Sequence, residues 1–443
     1  MLSPLAGEDM SIKYNPCGHL ISARVAAIVF IPAAFILFMA ISASASVMFH
    51  SGGVGDCEGC HVMHPGGPGE PQGGPGYIRG SDPSSTCLNC HAEKGMPYQV
   101  LSTDGSVFSP GGDFFWLTES GTVTIVNPDG SKTVAPYNDF NKGHSIVALD
   151  YGLTNNPLMQ VPPGNSSCDA NSPGFTVTSD DFSCINCHDP HGRLPNNAYG
   201  GNGGVSLPPI SQSGSYGATS SKSYSVGKYR LLNRTDWDNV RTGAPLWDHG
   251  VPVAVADSDP RYHFSETADN RHHVDYGSGM SEWCSNCHCD FLNSGNTSGG
   301  SAHRHPAGAK ALMTRVAVNY NSYISTGVFT GVEEDSWLSL VPFERGVTNV
   351  TQLNGERTDG PSTGKENVMC LTCHRAHASA FDHDTRWDTY ATFLNDSSPG
   401  PIYNVGQDLL KPYVTNAPYY GRDINTAFGP KQRSLCNKCH AQD

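Results

Sequence analysis

Cys184-Ile185-Asn186-Cys187-His188-Asp189-Pro190-His191 is the stretch whose reading decides the fold of this chain. Its two thiols stand one helical turn apart, and the imidazole that follows points to one side of them. That spacing lets both sulfurs add across the two vinyl groups of one porphyrin and aims His188 at its iron. The same Cys-x-x-Cys-His arrangement recurs at Cys57–His61, Cys87–His91, Cys284–His288, Cys370–His374 and Cys436–His440. The expected thioether set is Cys57, Cys60, Cys87, Cys90, Cys184, Cys187, Cys284, Cys287, Cys370, Cys373, Cys436 and Cys439. The expected proximal ligands are His61, His91, His188, His288, His374 and His440. Zinc ribbons pair their knuckles and have no reason to place a His after each one, and thioredoxin-like sites occur singly. Six covalently attached haem c groups are therefore expected.

Composition agrees with a cofactor-filled interior. Only 37% of the 443 residues are apolar, while 49 are Gly and 31 Pro. That is thin for a core made of side chains alone, so porphyrin faces are expected to supply much of it. With 27 basic against 41 acidic residues and a net charge of −14, the chain lacks the basic excess of a nucleic-acid binder. The expected fold class is mostly irregular coil with a few short helices and a minor hairpin, organised around a stacked haem chain. Residues 65–76 have Gly or Pro at ten of twelve positions and exclude helix and sheet, and residues 196–227 read as a long Gly/Ser/Asn-rich surface loop. Alternation at Val123 and Ile125 before Asn127-Pro-Asp-Gly130 predicts a hairpin over Thr122–Val134. An apolar stripe (Ala309, Leu312, Met313, Val316, Ala317, Tyr320) predicts a helix from Ala309 to Tyr323 ahead of Gly327. A shorter helix over Thr385–Leu394 is predicted from Trp387, Tyr390 and Leu394.

Residues 1–45 read as an export signal: Lys13 and Arg24, an apolar run from Val25 to Ile41, then Ala43 and Ala45 ahead of cleavage before Ser46. Residues 46–443 are then a single haem-organised unit that keeps no membrane span. A retained anchor is disfavoured, because the run is short for a bilayer and ends in small residues rather than charges.

What fills each sixth coordination position separates an electron carrier from an enzyme. His64, His191 and His377 each lie three residues after a proximal His. The offset cannot put both rings on one iron, but it can send the second to a neighbouring haem. His50, His144 and His305 are the other candidates, with His303 and the His272–His273 pair as rivals. His249, His263 and His383 read as surface or propionate-contacting residues. Met63, Met96, Met159, Met280, Met313 and Met369 show no repeated placement and read as packing. Cys168 and Cys289 remain outside the motifs, and the spacing leaves open whether they pair; Cys289 directly follows His288, an awkward place for a bond.

Beyond the bare motifs, several segments carry a specific likeness: Phe49-His50-Ser-Gly-Gly-Val54, Pro110-Gly-Gly-Asp-Phe114, Lys142-Gly-His144, Gly279-Met-Ser-Glu-Trp-Cys284, Arg304-His-Pro-Ala-Gly308, Cys373-His-Arg-Ala-His-Ala-Ser379 and Leu435-Cys-Asn-Lys-Cys-His-Ala441. In these the chain resembles the OmcS-type hexahaem outer-surface cytochromes of metal-reducing bacteria. The resemblance implies a continuous stacked haem row with bis-His ligation throughout, the distal ligands being His50, His64, His144, His191, His305 and His377. It also implies that His64 ligates a haem of the adjacent subunit, the one attached by Cys370–His374. Cys168, Cys289 and the 196–227 loop are not matched to the family. The function implied is a secreted, extracellular homopolymer, a conductive filament that takes electrons from envelope cytochromes and passes them to ferric oxides or partner cells. A monomeric multihaem shuttle is the alternative. A multihaem reductase fits less well, since such enzymes keep one iron five-coordinate, often through Cys-x-x-Cys-Lys, and that motif is absent.

Overall fold

The computed structural model describes residues 59–62, 78–94, 98–118, 120–126, 131–170, 172–188, 190, 230, 232–233, 247–259, 262, 266, 270–292, 305–396 and 414–440. The expected leader, the 65–76 segment, the 196–227 loop and the 127–130 turn lie outside them. Among the described residues, no helix is long and apolar enough to cross a membrane.

Regular structure is sparse and short. Helices α1 (Pro83–His91), α2 (Pro173–Thr176), α3 (Met280–Cys284), α4 (Cys289–Leu292), α5 (Ala317–Ser322), α6 (Cys370–Cys373), α7 (Ile424–Phe428) and α8 (Asn437–His440) are joined by coil and single 3₁₀ turns. Strands β1 (Ser120–Val126) and β2 (Lys132–Asn138) form the expected hairpin, with Val123 opposite Ala135 and Ile125 opposite Thr133. Its return strand runs into a turn closed by the buried Lys142–Asp139 ion pair at 2.8 Å, which delivers the chain to His144. A second antiparallel pair, β3 (Val253–Ala256) with β4 (Val274–Ser278), was not foreseen. Val-Ala-Val-Ala has no polar residue on its outward face, so the period-2 signal is missing.

Both helix expectations need correction. The Ala309–Tyr323 stripe yields only a 3₁₀ turn at Met313–Arg315 and then α5. Leu312 is instead paired antiparallel with Asn367: Met313 N donates to Glu366 O at 2.8 Å, and Val368 N donates to Ala311 O at 3.0 Å. A strand partner takes the backbone groups that a helix would have used. Gly327 serves a turn between Ser325 and Val328 rather than a helix terminus. Over Thr385–Leu394 the structure has bends, with 3₁₀ geometry only at Leu394–Asp396. Thr385 bridges His374 and Arg386 N donates to Cys373 O at 2.7 Å, so the segment is held against the fifth motif before a helix can start.

The main apolar core gathers Phe114, Phe115, Trp116, Tyr320, Trp337, Leu340, Phe343 and Trp387. Met280, Met313 and Met369 are each at most 4% exposed and sit in apolar clusters, whereas Met159 is exposed. Fully burying one such side chain contributes about 1.5–3 kcal/mol. Glu266 is also buried, with the guanidinium nitrogens of Arg375, Arg386 and Arg422 at 2.7, 3.4 and 3.9 Å.

Candidate haem sites

The motifs sit on short helical segments, and polar side chains fix the starts of the second, third and fifth. In α1, Pro83 occupies the first turn and Asp82 caps it, accepting from Ser85 N at 2.8 Å. Ser84, three residues before Cys87, then accepts a hydrogen bond from Cys184 N at 3.1 Å. The device repeats: Ser281, three residues before Cys284, accepts from Cys370 N at 3.0 Å. The sulfurs follow suit, Cys87 lying beside Cys184 and Cys284 beside Cys370. The second motif is thus joined to the third and the fourth to the fifth. Cys60 lies near Cys90, Cys187 near Cys287, and Cys373 near Cys436 and Cys439. The attachment cysteines therefore neighbour one another in sequence order. Reading the motifs alone missed Ser84 and Ser281; their shared offset from the first Cys was the available signal.

The imidazoles meet in facing pairs. His188 stands 6.2 Å from His377, His144 stands 6.0 Å from His288, and His305 stands 6.0 Å from His440, measured between ring centroids. Two metal–imidazole bonds of about 2 Å, plus about 1 Å from each nitrogen to its ring centre, make about 6 Å. The gaps are the size one iron needs. No such facing imidazole is found for His374 among the described residues. His50, Cys57, His64 and His191 lie outside them, as do the rival candidate His303 and His263.

The rings are oriented through Nδ1. His91 bonds Tyr98 O at 2.9 Å, His188 bonds Arg230 O at 2.9 Å, His288 bonds Pro163 O at 2.8 Å and His374 bonds His383 O at 2.8 Å. His144 bonds Ala376 O at 3.0 Å and His305 bonds Pro306 O at 2.9 Å. A carbonyl acceptor puts the proton on Nδ1 and leaves the Nε2 lone pair for a metal. Burial holds the rings neutral, pushing His144 and His188 down to about 4 and His377 to about 3. Protons therefore do not compete for those nitrogens near neutral pH.

Two candidate distal residues share one backbone unit. Residues 376–378 lie between 110–113 and 142–144: Ala376 N donates to Gly111 O at 2.9 Å, and His144 N donates to His377 O at 2.8 Å. Phe114 stacks on His377 at 4.9 Å. A Cβ on Gly111 would lie 2.8 Å from His377 Nδ1, and one on Gly112 (φ +109°) only 1.9 Å from Ala378 O. Both glycines are needed for this close approach.

Three further histidines, among them the rival pair His272–His273, are engaged elsewhere. His272 bonds the Asp257 carboxylate at 2.7 Å and stacks on Tyr262, His273 is buried against Trp337, and His383 lies 3.2 Å from the Tyr390 hydroxyl. Three guanidiniums surround the buried carboxylate of Glu266, and two of them, Arg375 and Arg386, also lie near the buried carboxyl of Asp384. Among the described residues no group of His, Cys, Asp and Glu converges as a bare-metal site. Cys168 and Cys289, left open by the sequence, are joined in a disulfide.

No family model matches the chain. It is 36% identical over 439 residues to the C-type cytochrome OmcS of Geobacter sulfurreducens, an alignment covering 91% of this chain and 96% of that protein. Its fold is similar to that of the outer membrane cytochrome S filament from Geobacter sulfurreducens, with a TM-score of 0.70 at 34% identity. It is also similar to OmcS nanowires seen by cryo-EM, with a TM-score of 0.69 at 34% identity. Each match covers 89% of this chain and 100% of the other. Motifs, paired imidazoles and relatives converge, and the chain belongs to the OmcS family of multihaem c-type cytochromes, whose haem c is bound covalently.

Proposed function

We propose that this protein is a secreted electron conduit: residues 1–45 direct export, and residues 46–443 hold six haem c groups in one row and polymerise outside the cell. Envelope cytochromes are its donors, and ferric oxides or partner cells its acceptors. The observation that carries this reading is the three facing imidazole pairs at 6.0–6.2 Å. Haem c supplies one-electron chemistry, and a site capped on both faces leaves a substrate no place to bind. His188 and His377 hold the third group, His288 and His144 the fourth, and His440 and His305 the sixth. His50 and His191 complete two of the remaining three. His374 takes its second ligand from His64 of a neighbouring copy. Supporting this last assignment are the family resemblance and the relatives solved as a filament and as nanowires.

The protein's own contribution is positional. Backbone carbonyls fix the rings, and Ser84 and Ser281 lock consecutive motifs together. Low potentials relative to His/Met haems are expected from this ligation.

His64→Ala tests the reading. The variant is expected to be secreted with six haems by intact mass but to yield no filaments by electron microscopy, with one iron turning high-spin. Filaments of normal length from His64→Ala would leave the monomer-to-polymer assignment wrong, and a haem count of four or five would remove a motif from the row.

A further inference from the structure

The loop at 163–168 is poor in apolar anchors. Just before it, Leu158, Met159 and Val161 are 81%, 47% and 44% exposed, so burial does little to fix this stretch. Yet the loop sets Pro163 O 2.8 Å from His288 Nδ1. What holds it is the start of α4, immediately after His288. Cys289 is bonded to Cys168 across 121 residues, with a Cα–Cα distance of 5.2 Å. Asp290 N donates to Gly164 O at 2.7 Å. The Asp290 carboxylate accepts from Ser167 N at 2.8 Å and from Ser166 N at 3.2 Å, and also from the Ser166 hydroxyl. Phe291 then stacks on His288 at 5.8 Å, and its ring lies against Gly164, whose φ is +71°. Behind the loop, Asn165 Nδ2 donates to Gly174 O at 2.8 Å, and a Cβ on Gly174 would meet Cys168 Sγ at 2.6 Å.

We propose that the Cys168–Cys289 disulfide and Asp290 form a clamp that positions His288 by holding the Pro163 carbonyl on its Nδ1. Cys168, Cys289 and Asp290 are positioning residues, and the inference rests on reading His288 as an iron ligand. An Nδ1–H donated to a fixed carbonyl makes the imidazole a stronger donor and fixes the ring plane. Hydrogen bonding to an axial ligand is one of the levers a protein has on a haem potential. Releasing the clamp weakens that bond, so the ferric state of the fourth haem is less stabilised and its potential rises. The covalent link is suited to this in an exported protein, where a disulfide persists and few side chains are available to form a core.

Ferric EPR and potential-resolved titration of the full protein test this. In the double variant Cys168→Ser/Cys289→Ser, one of six low-spin signals is expected to move, its midpoint shifting upward while the other five stay put. Asp290→Ala should move the same signal, and Asp290→Asn should leave it closer to wild type. Should the double variant fail to fold, the native protein can be treated with a phosphine, which takes up oxygen as the disulfide gains two electrons and two protons. The thiols are then alkylated and the irons re-oxidised with ferricyanide before measurement. Unchanged signals and potentials alongside a lowered melting temperature would overturn the clamp and leave a purely structural staple. High-spin iron in untreated wild type would overturn the ligation reading and the clamp with it.

Discussion

Gly111 shows how much rides on single atoms. Its missing side chain makes room for the His377 ring, and Gly111→Ala would bring a methyl 2.8 Å from Nδ1 and 2.9 Å from Cε1. The ring must shift from its present place beside His188, so the variant is expected to gain a high-spin ferric signal from one haem while keeping its haem count. An unchanged low-spin spectrum would show that the ring can shift without leaving its iron. Glu266 decides a different property. Burial disfavours ionisation of its carboxyl, yet Arg375, Arg386 and Arg422 together pull its pKa from the ordinary 4.5 down to about 2. A carboxyl depressed in the folded state contributes stability that is present above about 4.5 and lost as the pH falls through about 2. Calorimetry should therefore show a loss of about 3 kcal/mol over that window. Glu266→Gln should flatten this dependence and cost about 3–5 kcal/mol at neutral pH, because three guanidiniums lose their counter-charge.

At the scale of elements, the short turns are stabilised mainly by their neighbours. Asp82 illustrates this: besides capping α1 it accepts from Leu149 N at 2.8 Å, tying the second motif to a segment far along the chain. Ser281→Ala removes the acceptor for Cys370 N, a part-buried donor, and should cost about 1–3 kcal/mol, read as a lower melting temperature with intact haem content. A neutral result would mean that water or another acceptor replaces the hydroxyl. This dependence on neighbours explains which elements were legible. The β1–β2 hairpin follows from its own alternation and turn residues, and it formed as read. The Ala309–Tyr323 stripe had a helical period but lost its first half to pairing between Leu312 and Asn367, a partner 55 residues away that periodicity cannot reveal. The β3–β4 pair fell on the other side of the same limit.

Across the whole molecule, the c-type cytochrome class was the most legible feature, because the two thiols and the imidazole of each motif are neighbours in sequence. The facing partners were only half legible. His144, His305 and His377 were picked out as candidates, but that they stand opposite His288, His440 and His188 is set by backbone packing such as that of residues 376–378. The same holds for Cys168 and Cys289, whose bond spans 121 residues. Contacts between consecutive motifs bring the attachment cysteines together in sequence order, and on the proposed function polymerisation would extend the row by one further ligand at His374. A cryo-EM map of filaments shed by the native organism tests this most directly. The account predicts six bis-His haems per subunit, with the iron beside His374 completed by His64 of the next subunit. A vacant coordination position on any iron, or His64 bound within its own chain, would contradict it.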